Sequence, residues 1–213
     1  MKQKELILLF TVIVAAALSF YIMGEETKEP EMGDEQAGQD HEPTVQIANR
    51  GETKVSLKPG FEQIGRLQAK VPPNWKREQP SSSMRIAQFV LPGNEGVGEL
   101  VVFSGIGGSV DANLERWYGQ FKSETQSSVS ESAVKSNEHI NKMDVTFSYA
   151  EGTYLKSSMG MGGSKTEMPG YALLAAIVAT PYGPYYFKGT GPRSTMDSQK
   201  EPFQQFIRSI EKL

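Results

Sequence analysis

The stretch from Tyr171 to Pro192 constrains the fold more than any other part of this 213-residue chain. Residues Ala172 to Ala179 form a continuous apolar run, Pro181 to Pro184 make a turn, and Tyr185, Tyr186 and Phe187 open a second run that reaches Gly189 and Gly191. Eight apolar residues without alternation fit either a strand buried on both faces or a piece of core helix. The flanks decide for the strand. Pro169-Gly170 precedes the run, and two prolines bracket its turn. Thr180 stands directly before Pro181, which pushes it toward extended geometry and stops a helix from continuing. The reading is a central hairpin on which the other elements pack.

At the N-terminus, Lys2 and Lys4 precede Leu6 to Met23, an 18-residue span whose only polar members are Thr11 and Ser19. As a helix it covers about 27 Å, close to the hydrocarbon thickness of a bilayer. Cleaved signal peptides have a shorter apolar core, and Ala17-Leu18-Ser19, a tolerable cleavage site, lies inside the run. The pattern favours an uncleaved single-span anchor through residues 6–23, with secretion after cleavage as the alternative. Basic residues before the span and Glu25 and Glu26 after it place the remainder outside the cytoplasm. Residues 1–24 are thus read as anchor or signal, 25–45 as a linker, and 46–213 as one domain.

The linker holds Glu25, Glu26, Glu29, Glu31, Asp34, Glu35, Asp40 and Glu42 against Lys28 alone, with no apolar period. Such a segment reads as a self-repelling spacer. The whole chain is −3, residues 1–24 are +1 and 24–42 are −7, which leaves 43–213 at about +3. That charge is scattered and mild, which argues against nucleic acid as a partner. Cysteine is absent. Disulfides, thiol chemistry and a lipid-modified N-terminal cysteine are therefore excluded.

Within the domain, Arg66–Val71, Met84–Leu91 and Glu99–Phe103 read as strands, the last two joined by a Pro92–Gly96 loop rich in turn residues. Val110, Leu114, Trp117, Tyr118 and Phe121 share one face of a helix over 110–122, with Ser109 as cap and Asp111 at the positive end of its dipole. Lys142–Tyr149 alternates: Met143, Val145, Phe147 and Tyr149 face inward, and Asp144, Thr146 and Ser148 face water. Val129–Val134 is a weak strand candidate. Met196, Phe203, Phe206, Ile207 and Ile210 mark a C-terminal helix over 195–212, whose start Pro202 leaves uncertain. The order predicts an α+β domain: a largely antiparallel sheet with both helices packed on it.

Several segments carry a resemblance. Trp75 after Val71, Pro72 and Pro73, the Leu100–Phe103 strand running into a glycine-rich turn and helix, and Tyr185–Lys188 followed by a helix ending at Phe206–Ile210 resemble the PsbP-like fold. Met84–Phe89, Gly107–Trp117 and Gly189–Pro192 are similar to uncharacterised secreted or membrane-anchored bacterial proteins of the envelope. The resemblance covers roughly residues 60–213. It implies a non-catalytic accessory or binding domain with no cofactor, and it transfers no functional residue.

Candidate chemistry is sparse. Gly160–Thr166 superficially suggests a phosphate-binding loop, but Met159 and Ser164 stand where the motif needs glycine, and Pro169-Gly170 follows instead of a helix. Ser132–Lys135 fits S-x-x-K without its partner motifs. His41 and His139 are too few for a histidine-based triad or zinc site. Two glycine turns precede helices and are anion-site candidates: Gly105–Ser109, through Gly107, Gly108 and Ser109, and Gly189–Arg193, through Gly191 and the Arg193 fork. Tight turns for strand–helix packing are the competing account. Met159, Met161 and Met168 offer soft sulfur for Cu(I), or ordinary hydrophobic filling.

Two functional classes remain. One is a membrane-tethered binding domain presenting a shallow face with exposed aromatics such as Tyr182 and Tyr185. The other is an enzyme whose carboxylates, among Glu99, Glu115, Asp144 and Glu151, converge only in three dimensions.

Overall fold

The structure, a computed structural model, describes residues 56–157 and 165–213. The expected anchor, the acidic linker, Met159 and Met161 lie outside the described residues. Among the described residues, no helix is long and apolar enough to cross a membrane.

The elements, in chain order, are β1 (Glu62–Ile64), β2 (Leu67–Ala69), β3 (Lys76–Glu78), β4 (Arg85–Leu91), β5 (Gly98–Ser104), α1 (Val110–Tyr118), β6 (Phe121–Lys122), α2 (Val129–Ser132), β7 (Val134–Ile140), β8 (Met143–Ser157), β9 (Lys165–Val178), β10 (Tyr185–Pro192), α3 (Arg193–Ser198), α4 (Lys200–Arg208) and β11 (Glu211–Lys212). The main sheet runs β3-β4-β5-β10-β9-β8-β6, with β7 also paired to β8, and a small sheet orders β1-β2-β11. Every recorded pairing is antiparallel. The architecture is sheet-dominated, with a few short helices.

The β9–β10 hairpin stands where the apolar run places it, in mid-sheet between β8 and β5. Ala172 to Val178 are all buried, odd and even positions alike. Leu174, Ala176, Phe187 and Val178 share one core with Phe203, Phe206 and Ile207 of α4. Leu173, Ala175, Ile177 and Tyr186 share a second with Leu114, Trp117 and Tyr118 of α1. The Phe206 ring lies 5.2 Å from Trp75, 6.0 Å from Phe89 and 5.8 Å from Phe187, centroid to centroid.

Four local expectations are corrected. The helix over 110–122 stops at Tyr118: Gly119 donates to Glu115 O, and Phe121 leaves to pair with Tyr154 of β8 as a strand. The helix over 195–212 is two helices and a strand. It breaks at Gln199, whose side chain accepts from Trp75 Nε1 (2.7 Å) and donates to the Pro92 carbonyl (2.9 Å). Pro202 is harmless because it falls in the first turn of α4, where N–H groups have no helical acceptor. The weak strand candidate at Val129–Val134 is a helical turn instead, set by a reciprocal capping box between Ser128 and Glu131, with β7 beginning at Val134. Ser148 is buried, not wet, with its hydroxyl 2.6 Å from that of Tyr118.

Glycines Gly98, Gly189 and Gly191 explain how α3 reaches the sheet. A Cβ at Gly98 or Gly191 would stand 2.9 or 3.0 Å from the Met196 sulfur, and one at Gly189 would stand 3.0 Å from Met196 Cε. The three form a saddle that seats this buried side chain. A Cβ on Gly191 would also lie 2.7 Å from the Gly98 backbone, which cannot give way locally. Gly191→Ala should therefore cost about 1–3 kcal/mol by overpacking. Phe206→Ala should cost about 3–5 kcal/mol by leaving a cavity. Urea denaturation of each variant checks both values, and an unchanged midpoint for either would contradict this packing.

Candidate functional site

The sequence-predicted residues are distributed as follows. Ser109 caps α1, accepting from Ala112 N at 3.1 Å. The turn before it is stitched shut by Asn113 Nδ2, which donates to Gly107 O (3.3 Å) and Ser109 O (2.8 Å). The unpartnered buried atom beside it is Asn113 Oδ1, an acceptor and the wrong sign for an anion. Gly191 is a β10 residue paired with Ala172, not a turn residue. Arg193 opens α3: its NH2 donates to Glu124 Oε2 at 3.0 Å, while its buried Nε lies 3.1 Å from Glu151 Oε2 without hydrogen-bond alignment and has no hydrogen-bond partner. Met168 lies in β9 opposite Tyr154. Among the described residues, no His, Cys, Asp or Glu cluster could hold a metal.

The four candidate carboxylates go to four different places. Glu99 pairs with Arg85 (3.0 Å), Glu115 accepts from Ser130, Asp144 meets the exposed His139 (2.7 Å), and Glu151 joins Arg193. Lys135 of the S-x-x-K segment pairs with Asp111 instead of Ser132. Tyr182 is exposed beneath the Arg66 guanidinium, 5.0 Å from its ring centre. Tyr185, expected on the surface, is buried, and its hydroxyl accepts from Arg66 N (3.0 Å). Alternation in β10 sends Tyr185 into the α4 core and Tyr186 into the α1 core.

What the fold does bring together is a groove along β8. Its apolar half, about 240 Å³, is lined by Val134, Phe147, Leu174 and Phe203, with Lys200 and Gln204 of α4 at its rim. Its polar half, about 480 Å³, is lined by Glu124, Glu151, Gly152 and Arg193. Val134 and Tyr149 belong to both halves. The Tyr149 hydroxyl lies 2.6 Å from Glu151 Oε1 and 2.7 Å from Asp197 Oδ1. One phenol hydrogen serves two carboxylates, so each also needs a cation. Glu151 has Arg193, and Asp197 has Lys200 at 2.6 Å, whose ammonium lies 3.5 Å from the centre of the Tyr149 ring.

The electrostatics follow from these contacts. Burial and two neighbouring carboxylates push the Tyr149 phenol far above its ordinary value, so it stays a donor. The Gly170 N–H (3.1 Å), helped by Thr153 and Arg193, holds Glu124 below the ordinary glutamate range. Burial pushes Asp197 up, but hydrogen bonds from Lys200 and Tyr149 outweigh it and hold the carboxyl low. On the opposite sheet face, Lys188 is driven down to about 8, chiefly by burial; Glu99 partly opposes the shift and Arg85 adds to it. Its ammonium donates to Gln120 Oε1.

Sequence reasoning singled out Glu151 and Arg193 but missed Glu124, Tyr149 as a polar group, Asp197 and Lys200. The Asp197–Lys200 spacing on a helix was the available signal. The link to Tyr149, 48 residues away, had none.

No family model matches this chain, and no curated protein matches it. Among solved structures it is similar to a protein from Bacteroides thetaiotaomicron VPI-5482, with 13% identity and a TM-score of 0.41 over 73% of this chain and 49% of that one. The chain therefore spans about half the length of that neighbour.

Two outcomes test the network. Tyr149→Phe removes the shared donor between two carboxylates and should cost about 1–3 kcal/mol in chemical denaturation; no change would contradict its role. Because the folded Glu124 carboxyl titrates below its ordinary value of 4.5, its contribution is present above that pH and is lost as pH falls through the folded value. Glu124→Gln should flatten the acid limb of the stability profile below pH 4.5, and an unchanged limb would count against the assignment.

Proposed function

We propose that this chain is a membrane-tethered extracytoplasmic domain that binds a ligand or supports another envelope component without catalysis. In this reading residues 6–23 hold it to the membrane, 25–45 act as a charged spacer, and the folded part has the PsbP-like layout with helices on both faces of the sheet. The apolar span with its basic and acidic flanks supports the tether.

The observation that carries the binding reading is the state of the groove's ionisable groups. A general acid working near neutrality needs a carboxyl raised toward 6–7. Here Glu124 and Asp197 are held low, Glu151 is matched to Arg193, and Tyr149 keeps its proton. Such groups form a fixed polar wall beside an apolar hollow, an arrangement suited to seating a ligand. The enzyme alternative would need Glu99, Glu115, Asp144 and Glu151 in one place, and their separate partners weigh against it. The methionine reading, copper held by Met159, Met161 and Met168, has only Met168 among the described residues.

Site-specific photo-crosslinking in native membranes tests the proposal. A photoreactive residue at Val134, on the rim of the groove, should yield adducts of defined mass, and one at the equally exposed Met84 should not. Full-length protein should stay in the membrane pellet after alkaline extraction. Adducts at neither position, or equally at both, would refute the groove as the binding face; release into the supernatant would refute the anchor.

A further inference from the structure

We propose that the chain pairs with a second copy of itself along β7, antiparallel and in one register, so that the main sheet continues across a two-fold axis at Asn137. The pairing stands independently of what the groove binds.

The backbone shows which groups of β7 are free. Asp144 O accepts from Ala179 N at 2.9 Å, on the β9 side of β8. Backbone groups alternate in direction along a strand, so Met143, Val145, Phe147 and Tyr149 turn theirs toward β7, where they meet Ile140, Glu138, Ser136 and Val134. The φ angles of Asn141 (49°) and Lys142 (63°) fit a type I′ turn, which closes on a bonded Ile140–Met143 pair and agrees with that phase. Lys135, Asn137 and His139 therefore aim their N–H and C=O groups away from the sheet. Among the described residues, no strand pairs with that side of β7.

Natural sheets blunt an exposed edge by shortening it, bulging it or placing proline on it. At the opposite end of the main sheet, β3 has three residues. By contrast β7 has seven, with no proline and no break in its pairing to β8. Its charges are compensated within the chain: Lys135 lies 3.6 Å from Asp111, and Glu138 lies 2.9 Å from Arg208. Val134, at one end, is 66% exposed.

The side chains choose the partner and the register. Outward groups must meet outward groups, so self-pairing can only set Lys135, Asn137 and His139 against one another. Centring on Lys135 or His139 puts identical side chains together and leaves much of the strand unpaired. Aligning Asn137 with His139 sets Glu138 against itself, and like charges directly opposite are destabilising. Aligning Lys135 with Asn137 sets Val134 against Glu138. Only alignment of Lys135 with His139 places Val134 opposite Ile140 at both ends, with Ser136 opposite Glu138 and Asn137 on the axis. Each outward pair then exchanges two backbone bonds, and His139, like Lys135, already has a carboxylate beside it, Asp144 at 2.7 Å. The strand is thus self-complementary, as an isologous two-fold contact requires. Val134 lines both halves of the groove, so Ile140 of the second copy stands at the groove's open side.

The chain has no cysteine, so single cysteines in the full-length protein, oxidised with copper phenanthroline in the cells that express it, report the pairing. Bonded residues that face each other stand about 5.5 Å apart, Cα to Cα, within disulfide reach. Asn137→Cys meets its own copy and should run as a dimer on a non-reducing gel. Lys135→Cys or His139→Cys alone lies about 14 Å from its copy and should bridge at least ten-fold more slowly, as should the exposed Met84→Cys. Lys135→Cys and His139→Cys in the same chain should restore fast bridging. Val134→Lys should slow the Asn137→Cys bridge several-fold, with circular dichroism confirming that the variant is folded. No Asn137→Cys dimer, equal rates at Asn137, Lys135 and His139, or a bridge indifferent to Val134→Lys would overturn the proposal. At a photoreactive Val134, self-pairing appears as an adduct of twice the chain mass. An adduct of another mass without an Asn137 bridge would overturn self-pairing in favour of a different partner and leave the binding reading standing.

Discussion

The structure depends on one constraint: a hairpin in mid-sheet with no face left for water. Because β9 and β10 are covered on both sides, the domain must supply two separate apolar coverings, and the helices divide that task. Trp117 of α1 meets Tyr186 edge-on at 6.3 Å on one side, and Phe206 of α4 meets Phe187 at 5.8 Å on the other. With no cysteine in the chain, these two layers carry the stability that disulfides would otherwise share.

The groove is a by-product of how the second layer is seated. Small residues in the sheet let α3 come close, and Met196 drops onto the backbone at Gly98, Gly189 and Gly191. That seating brings Arg193 and Asp197 of α3 beside Tyr149 and Glu151 of β8. The break at Gln199, held by Trp75 and the Pro92 carbonyl, then starts α4, whose first residue Lys200 closes onto Asp197. A glycine pattern in two strands thus leads, through close approach, to a polar cluster that no local motif announces.

This accounts for what could be read in the chain. The Ala172–Ala179 run, the Ser109 cap and the alternation of Met143, Val145 and Phe147 are local signals, and the elements appear where those signals place them. Element ends were less legible: the 110–122 and 195–212 patterns continue in hydrophobicity where the backbone does not. Phe121 and Ile210 keep the helical spacing yet lie beyond α1 and α4. The Ser128–Glu131 capping box was visible as S-x-x-E and outweighs the strand-forming valines around it. Gly189 and Gly191 resembled a turn because glycine before a helix serves anions and close packing equally well; only the position of Met196 distinguishes the two. The pairing of Glu124 with Arg193, 69 residues apart, depends on tertiary geometry alone.

Native-state hydrogen exchange of the β9 and β10 amides tests the central claim most directly. If the doubly covered hairpin is the frame, the amides of Ala172 to Val178 and their β10 partners should exchange only through global unfolding, with the same free energy as the denaturant value. Exchange of these amides at a lower free energy than those of α1 would show that the hairpin opens before the layer it supports, and would contradict the account.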